Sequence, residues 1–155
     1  MLCLVTIIIV MQMDLNEDDK QRKISIIIQG FHTDLSQLLK VVDIKLAGNL
    51  EVDRLKRLIR IARDEEPLMI INKCKDKIWD SRKQILDENE EFFISKKYEE
   101  YIKKDGNQMF IEGLINLFKN SRHMLSEKER KFMWVVIKRM LSAVTEYKII
   151  IGDYE

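Results

Sequence analysis

Apolar residues recur at helical spacing between Ser121 and Tyr147, and this stretch contains the most complete helical pattern in the chain. Ser126 stands at an N-cap position, and Glu129, three residues later, completes the pattern of a capping box. One apolar face is formed by Phe132, Val136, Met140, Ala143 and Tyr147. An adjoining face is formed by Trp134, Ile137, Leu141 and Val144. Together the faces exceed the stripe of about 100° typical of a helix on one side of a core, so we expect this helix to lie between neighbours.

A second long pattern lies near the start of the chain. Apolar residues spaced i, i+3, i+4, i+7 extend from Ile24 to Val42 and predict an amphipathic helix that ends at the Gly48-Asn49 turn. Gly30 falls inside this pattern and costs about 1 kcal/mol relative to alanine. We expect it either to permit close helix contact or to mark a slight bend.

The middle of the chain predicts shorter helices joined by brief connectors. Asn49 can cap a helix with an apolar face over residues 55–62, and Pro67 suits the first turn of a helix over residues 67–86. A dense aromatic group over residues 92–102 predicts one short helix, and residues 110–118 predict another. The expected fold is therefore all-α, a compact bundle of five or six helices.

Both termini are rich in β-branched residues. The C-terminal Ile149, Ile150 and Ile151 are typical of an extended segment, and residues 1–13 are uncharged and apolar. The two segments could pair as a minor two-stranded ribbon. As a helix, residues 1–13 would extend only about 20 Å, too short to span a bilayer. Three alternatives remain for this segment. It is buried or contacts a partner, it is an extension that precedes a true start at Met11 or Met13, or it contacts a membrane.

The composition favours one helical domain. The chain has 155 residues, 46% hydrophobic and 34% charged, with one proline and five glycines. We expect an apolar segment at residues 1–13 and a single helical domain over residues 14–155. The charges nearly cancel, with 27 Lys and Arg against 26 Asp and Glu, so no field of the whole molecule attracts a polyanion.

The chain lacks an evident arrangement of reactive groups. His32, His123, Cys3 and Cys74 fall in different predicted elements, without a His-x-x-x-His or Cys-x-x-Cys pair, so we expect no metal site. There is also no nucleophile elbow and no glycine-rich phosphate loop. We therefore predict no enzymatic activity, no catalytic residues, no cofactor and no small-molecule substrate. Two isolated cysteines and no secretory pattern favour an intracellular location.

A run of cations is the strongest local signal for a ligand. Five basic residues occupy about three helical turns, and they are Arg54, Lys56, Arg57, Arg60 and Arg63. Such a helix can neutralise phosphates of a nucleic acid. Acids flank the run, so pairing on the same helix or with neighbouring helices is the alternative. Lysines and an arginine at residues 73–83 could extend the basic surface.

The apolar surplus favours a protein partner. The two termini and the two-faced final helix offer more apolar surface than a small bundle needs to bury. Candidate partner-binding residues are Trp134, Ile137, Leu141, Ile149, Ile150 and Ile151. We expect these residues to contact another protein or a second copy of the chain.

Three segments of the C-terminal half carry a family resemblance, and they are residues 110–118, 125–134 and 140–147. Together they resemble short helical proteins encoded by nucleocytoplasmic large DNA viruses, in which a polar stretch leads into a final helix that contains tryptophan. The resemblance implies a structural or interaction role, such as a minor virion or assembly component, and it supplies no catalytic residues. The apolar residues 1–13 depart from this group. The sequence thus predicts a non-enzymatic interaction protein, with a nucleic-acid-binding module as the alternative.

Overall fold

The computed structural model describes residues 16–103 and 109–153, and within these ranges the chain is all-α and contains no strand. The described residues form eight α-helices and one 3-10 helix. The α-helices are α1 (Glu17–Lys45), α2 (Leu50–Glu65), α3 (Met69–Asp80), α4 (Arg82–Leu86), α5 (Glu90–Phe93), α6 (Lys96–Lys103), α7 (Met109–Ser121) and α8 (Glu127–Ile151). The 3-10 helix, Arg122–Met124, joins α7 to α8.

Side-chain caps define where the long helices begin. The Asn16 side chain accepts a hydrogen bond from the Asp19 amide at 2.8 Å, and Asn49 accepts one from the Glu51 amide at 2.9 Å. Ser126 and Glu129 form the predicted capping box, with the two reciprocal bonds at 3.1 and 3.0 Å. These bonds satisfy amides that have no acceptor within the helix, so the sequence fixes the start of α8 locally.

The antiparallel pair of α1 and α8 organises the fold. Lys45 pairs with Glu129 at 3.1 Å, and Asp34 pairs with Arg139 at 3.1 Å, which fixes the register of the two helices. Helix α8 also packs against α3 and α4, so the prediction that it lies between neighbours is confirmed. The fully buried side chains of this core include Phe31, Leu35, Val136 and Val144.

The helix count differs from the prediction because two predicted helices are divided. The pattern over residues 67–86 is interrupted at the buried Ser81, between α3 and α4. The aromatic stretch is divided between α5 and α6, where the Ser95 hydroxyl caps the second helix by accepting from the Tyr98 amide at 3.2 Å. Apolar periodicity continues across both breaks, so it could not reveal them.

The predicted ribbon is wrong for the C-terminal segment. Ile149, Ile150 and Ile151 form the last turn of α8, which ends at Gly152 with a positive φ of 76°. Ile149 and Ile150 are buried, so tertiary packing overrides the β preference of three successive isoleucines. Residues 1–13, the other predicted strand, lie outside the described residues.

The predicted close helix contact occurs at a different glycine. A Cβ atom added at Gly30 would meet no neighbouring atom within 4 Å. At Gly113, in α7, an added Cβ would lie 2.5 Å from Glu51 Oε1 of α2. Close approach therefore explains Gly113, and the close-contact explanation of Gly30 is wrong.

Candidate interaction surfaces

Three of the five cations of the basic helix have acidic partners. Arg54 Nε donates to Glu51 Oε2 at 2.9 Å, Lys56 pairs with Asp43 of α1, and Arg63 lies 3.5 Å from Asp64. The hydrogen bond from Arg54 also lowers the pKa of the Glu51 carboxyl. This pairing is what the flanking acids predict, and it reduces the charge offered to a polyanion.

Arg57 and Arg60 remain as the exposed cations of this helix without an ion pair to another described residue. The proposed extension of the basic surface onto α3 is not continuous. Lys77 is buried and donates to the Tyr101 carbonyl at 3.2 Å, and Lys75 Nζ lies 2.6 Å from Asp153 Oδ2. The exposed basic surface of α2 is therefore narrow.

Most of the sequence-predicted partner residues contribute to the interior of the bundle. Trp134, Leu141, Ile149 and Ile150 are buried, and Ile137 is half-buried. Ring contacts explain the position of Trp134, whose centroid lies 6.1 Å from that of Phe93. Of the six predicted residues, Ile151 is exposed.

Exposed apolar residues occur on both helices of the α1–α8 pair near their ion pairs. On α8, Phe132 and Val135 lie between Glu129 and Arg139, the two residues that pair with α1. On α1, Ile44 adjoins Lys45, the partner of Glu129. We call Ile44, Phe132 and Val135 the seam patch. Their side chains are 68%, 42% and 52% exposed.

Sequence periodicity assigned Phe132 to an inward face and therefore missed it as a surface residue. Helical spacing places Phe132 and Arg139 two turns apart on the same side of α8. Arg139 pairs with Asp34 of α1 while half of the Arg139 side chain remains exposed. The side of α8 that carries Phe132 and Arg139 is therefore the rim of the interface between α1 and α8. The acids and bases that recur along this side could have indicated the rim.

A cluster of four charges fixes the end of α8 to α3. The buried Lys148 ammonium lies 3.0 Å from Asp76 and 3.3 Å from Asp153, and Lys75 contacts both acids. Burial alone would raise the pKa of Asp76, but the hydrogen bonds from Lys148 and Lys75 lower it below its usual value. The same two lysines lower the pKa of Asp153. This cluster is an ion-pair network that holds structure together.

The histidine and cysteine that the structure describes in the core are isolated from one another. His32 is buried, and burial, together with the nearby Arg63 charge, lowers its pKa, against a hydrogen bond with the Pro67 backbone that raises it. Burial raises the pKa of the Cys74 thiol to about 12, so it is a poor nucleophile at neutral pH. In the described ranges, no three His, Cys, Asp or Glu side chains are grouped closely enough to bind a metal ion.

Neither a membrane-spanning helix nor a match to a known protein indicates the class of this protein. Over residues 16–103 and 109–153, none of the helices combines the length and apolar character needed to cross a bilayer. Comparison of the sequence and fold with protein-family models, curated proteins and solved structures finds no match. What the fold and surfaces define is an all-α bundle with an exposed apolar seam and a narrow basic helix face.

Proposed function

We propose that this chain is a non-enzymatic structural or interaction protein that acts through protein contacts, in the first place with a second copy of itself. The observation that carries the proposal is the seam patch. Phe132 and Val135 are exposed apolar residues one turn apart on α8, and the exposed Ile44 of α1 precedes Lys45, which pairs with Glu129 of α8. Full burial of one such side chain is worth about 1.5–3 kcal/mol.

A second copy suits this surface for two physical reasons. A two-fold interface buries the same patch on both partners, so each apolar side chain counts twice. The near balance of 27 basic and 26 acidic residues means that two copies approach without strong net repulsion. The patch also lies on helices that are already formed and packed against each other, so no segment has to fold on binding.

The resemblance to viral helical proteins supports a more specific version of this proposal. In that version the protein is a minor virion or assembly component of a large DNA virus and acts inside the host cell. Self-association or contact with a larger virion protein would then be its working activity. This version adds no catalytic step and needs no cofactor.

Size measurement by sedimentation velocity tests the proposal. We expect the mass to rise with concentration and to exceed that of a monomer at tens of micromolar. Replacing Phe132 and Val135 together with serine should weaken association at least tenfold, about 1.4 kcal/mol. The matched control is Leu50→Ser, which removes an apolar side chain that is 83% exposed on α2.

Two results would contradict the proposal. One is a strictly monomeric protein at tens of micromolar that also leaves larger partners unbound. The other is association that responds equally to the seam substitutions and to Leu50→Ser, because this would indicate nonspecific stickiness. Circular dichroism of each variant would verify that its helices are intact.

Arg57 and Arg60 support a second candidate, a nucleic-acid-binding module. Both are exposed, lack an acidic partner among the described residues, and lie on one side of α2 about a turn apart. Two guanidinium groups can each contact a phosphate, with Arg54, Lys56 and Arg63 contributing where their acids permit.

Salt-dependent binding to a short duplex tests this candidate. If both arginines contact phosphates, replacing them with glutamine should reduce the slope of log K against log salt by about 2. The control carries the same charge change at Lys96 and Lys97, two exposed lysines of α6. Absence of salt-sensitive binding at low ionic strength, or an equal effect of the control, would exclude the basic helix as the interface.

A further inference from the structure

An apolar cavity of about 160 Å³ lies between α7 and α8. Helix α8 packs mainly against α1, α3 and α4, whereas α7 packs against α1, α2 and α6. The two helices therefore face each other with little direct contact. Their facing side chains line the cavity, and they include Leu114, Ile115, Phe118, Met133, Trp134 and Ile137.

The wall of the cavity offers almost nothing to a polar occupant. Lys77, Glu90 and Arg130 reach its edge, and each has a polar partner within the protein, although the buried Nε of Arg130 has no hydrogen-bond partner among the described residues. Lys77 donates to the Tyr101 carbonyl, and Arg130 lies 3.5 Å from Glu90. A buried water needs two to four polar partners, so water is poorly held here.

Size and chemistry together define the occupant. An apolar cavity of about 150 Å³ in another protein stays dry and takes up benzene. The present cavity has a similar volume, and aromatic rings of Phe93, Phe118 and Trp134 contribute to its wall. We propose that this cavity binds a small uncharged hydrocarbon molecule or group, about the size of one aromatic ring.

Access to the cavity runs between α7 and α8. Leu114, Ile115 and Ile137 are only half-buried although they line it, so residues 16–103 and 109–153 leave this side open. The opposite wall is closed by Leu39 and Cys74, which are fully buried. A ligand therefore enters along the gap between the two helices and displaces no packed side chain of the core.

Titration with toluene, followed by NMR of the methionine methyl groups, tests the proposal on the full-length protein. We expect saturable shifts at Met133 and Met140, which line the cavity, and no shift at Met124, which does not. Benzoate has a similar ring but a charge, and it should bind at least tenfold more weakly because its carboxylate would lose water against a mostly apolar wall whose cations Lys77 and Arg130 already have partners. No saturable shift of Met133 and Met140 up to the solubility limit of toluene, or equal binding of benzoate, would overturn the proposal.

A cavity-filling substitution provides an independent arm. Ile115→Phe should weaken toluene binding at least tenfold, whereas Leu58→Phe, a similar enlargement outside the cavity, should leave it unchanged. If Ile115→Phe does not fold, the methionine shifts of the unmodified protein still decide the outcome. A variant lacking residues 1–13 tests whether those residues are the natural occupant. Toluene binding that is unchanged by the deletion supports the proposal. Toluene binding that appears only after the deletion overturns it.

Discussion

Two glycines inside helices allow backbone propensity to be separated from packing. Alanine in place of glycine inside a helix is worth about 1 kcal/mol. At Gly30 an added Cβ meets no atom within 4 Å, so Gly30→Ala should deliver the full gain. For a domain of this size, that corresponds to a rise in Tm of about 2–4 °C.

At Gly113 the same substitution meets an obstacle. The new Cβ would lie 2.5 Å from Glu51 Oε1 and 3.3 Å from an Arg54 guanidinium nitrogen. Both atoms are ends of flexible side chains, so they can move, but the Glu51–Arg54 pair is then disturbed. A partly exposed pair of this kind is worth about 0.2–1 kcal/mol. We therefore expect Gly113→Ala to be close to neutral.

A double-mutant cycle gives the decisive comparison. With Glu51→Ala as the background, the nearest obstacle is absent and the Arg54 side chain has lost its partner and can move aside, so Gly113→Ala should stabilise the protein by about 1 kcal/mol, as at Gly30. Urea unfolding of the four proteins of the cycle measures this coupling. A strongly destabilising Gly113→Ala that persists in the Glu51→Ala background would refute the reasoning, because the close approach would then involve more than this side chain.

Three further predictions concern titration, reactivity and capping. The lowered pKa of His32 means that the unfolded chain binds its proton first, so this group's contribution to stability is complete above about pH 6.5 and is lost as the pH falls through the folded value. Urea unfolding at pH 7.5 and pH 5 should show a smaller loss for His32→Gln than for the unmodified protein, and equal losses would contradict this. Because the pKa of Cys74 is raised from 9.0 to about 12, its thiolate fraction at pH 8 falls about a thousandfold, so iodoacetamide should modify it far more slowly in the folded than in the unfolded protein, as peptide mapping would measure. Ser126→Ala should cost about 1 kcal/mol through loss of the α8 cap, while Ser25→Ala at an exposed position of α1 should cost little, and thermal unfolding would compare them.

The long helices were predictable because their signals are local. Asn49 and Ser126 are the predicted caps of helices whose apolar residues recur at helical spacing, and these features need no knowledge of the rest of the chain. The last turn of α8 was not predictable in this way. Ile149 and Ile150 are helical because α8 buries them, and periodicity cannot show where such a surface exists.

The candidate surfaces depend even more on tertiary contacts. The cations of α2 were visible in the sequence, but the pairing of Lys56 with Asp43 depends on how α2 packs against α1. The exposure of Phe132 follows from the register of α8 against α1. The cavity between α7 and α8 has no sequence signature, since its wall consists mainly of apolar residues that any pattern assigns to a core.

The charge cluster around Lys148 affects the stability of the end of α8 and of the cavity wall on α3. Helix ends usually fray, and their amides exchange hydrogen with solvent almost freely. Here the end of α8 is tied to α3, and α3 supplies Cys74 and Ile78 to the cavity wall. When these ion pairs are broken, hydrogen exchange should therefore rise both near Ile150 and around Cys74. A change at the C-terminal end of α8 would then loosen the part of the cavity wall that α3 forms.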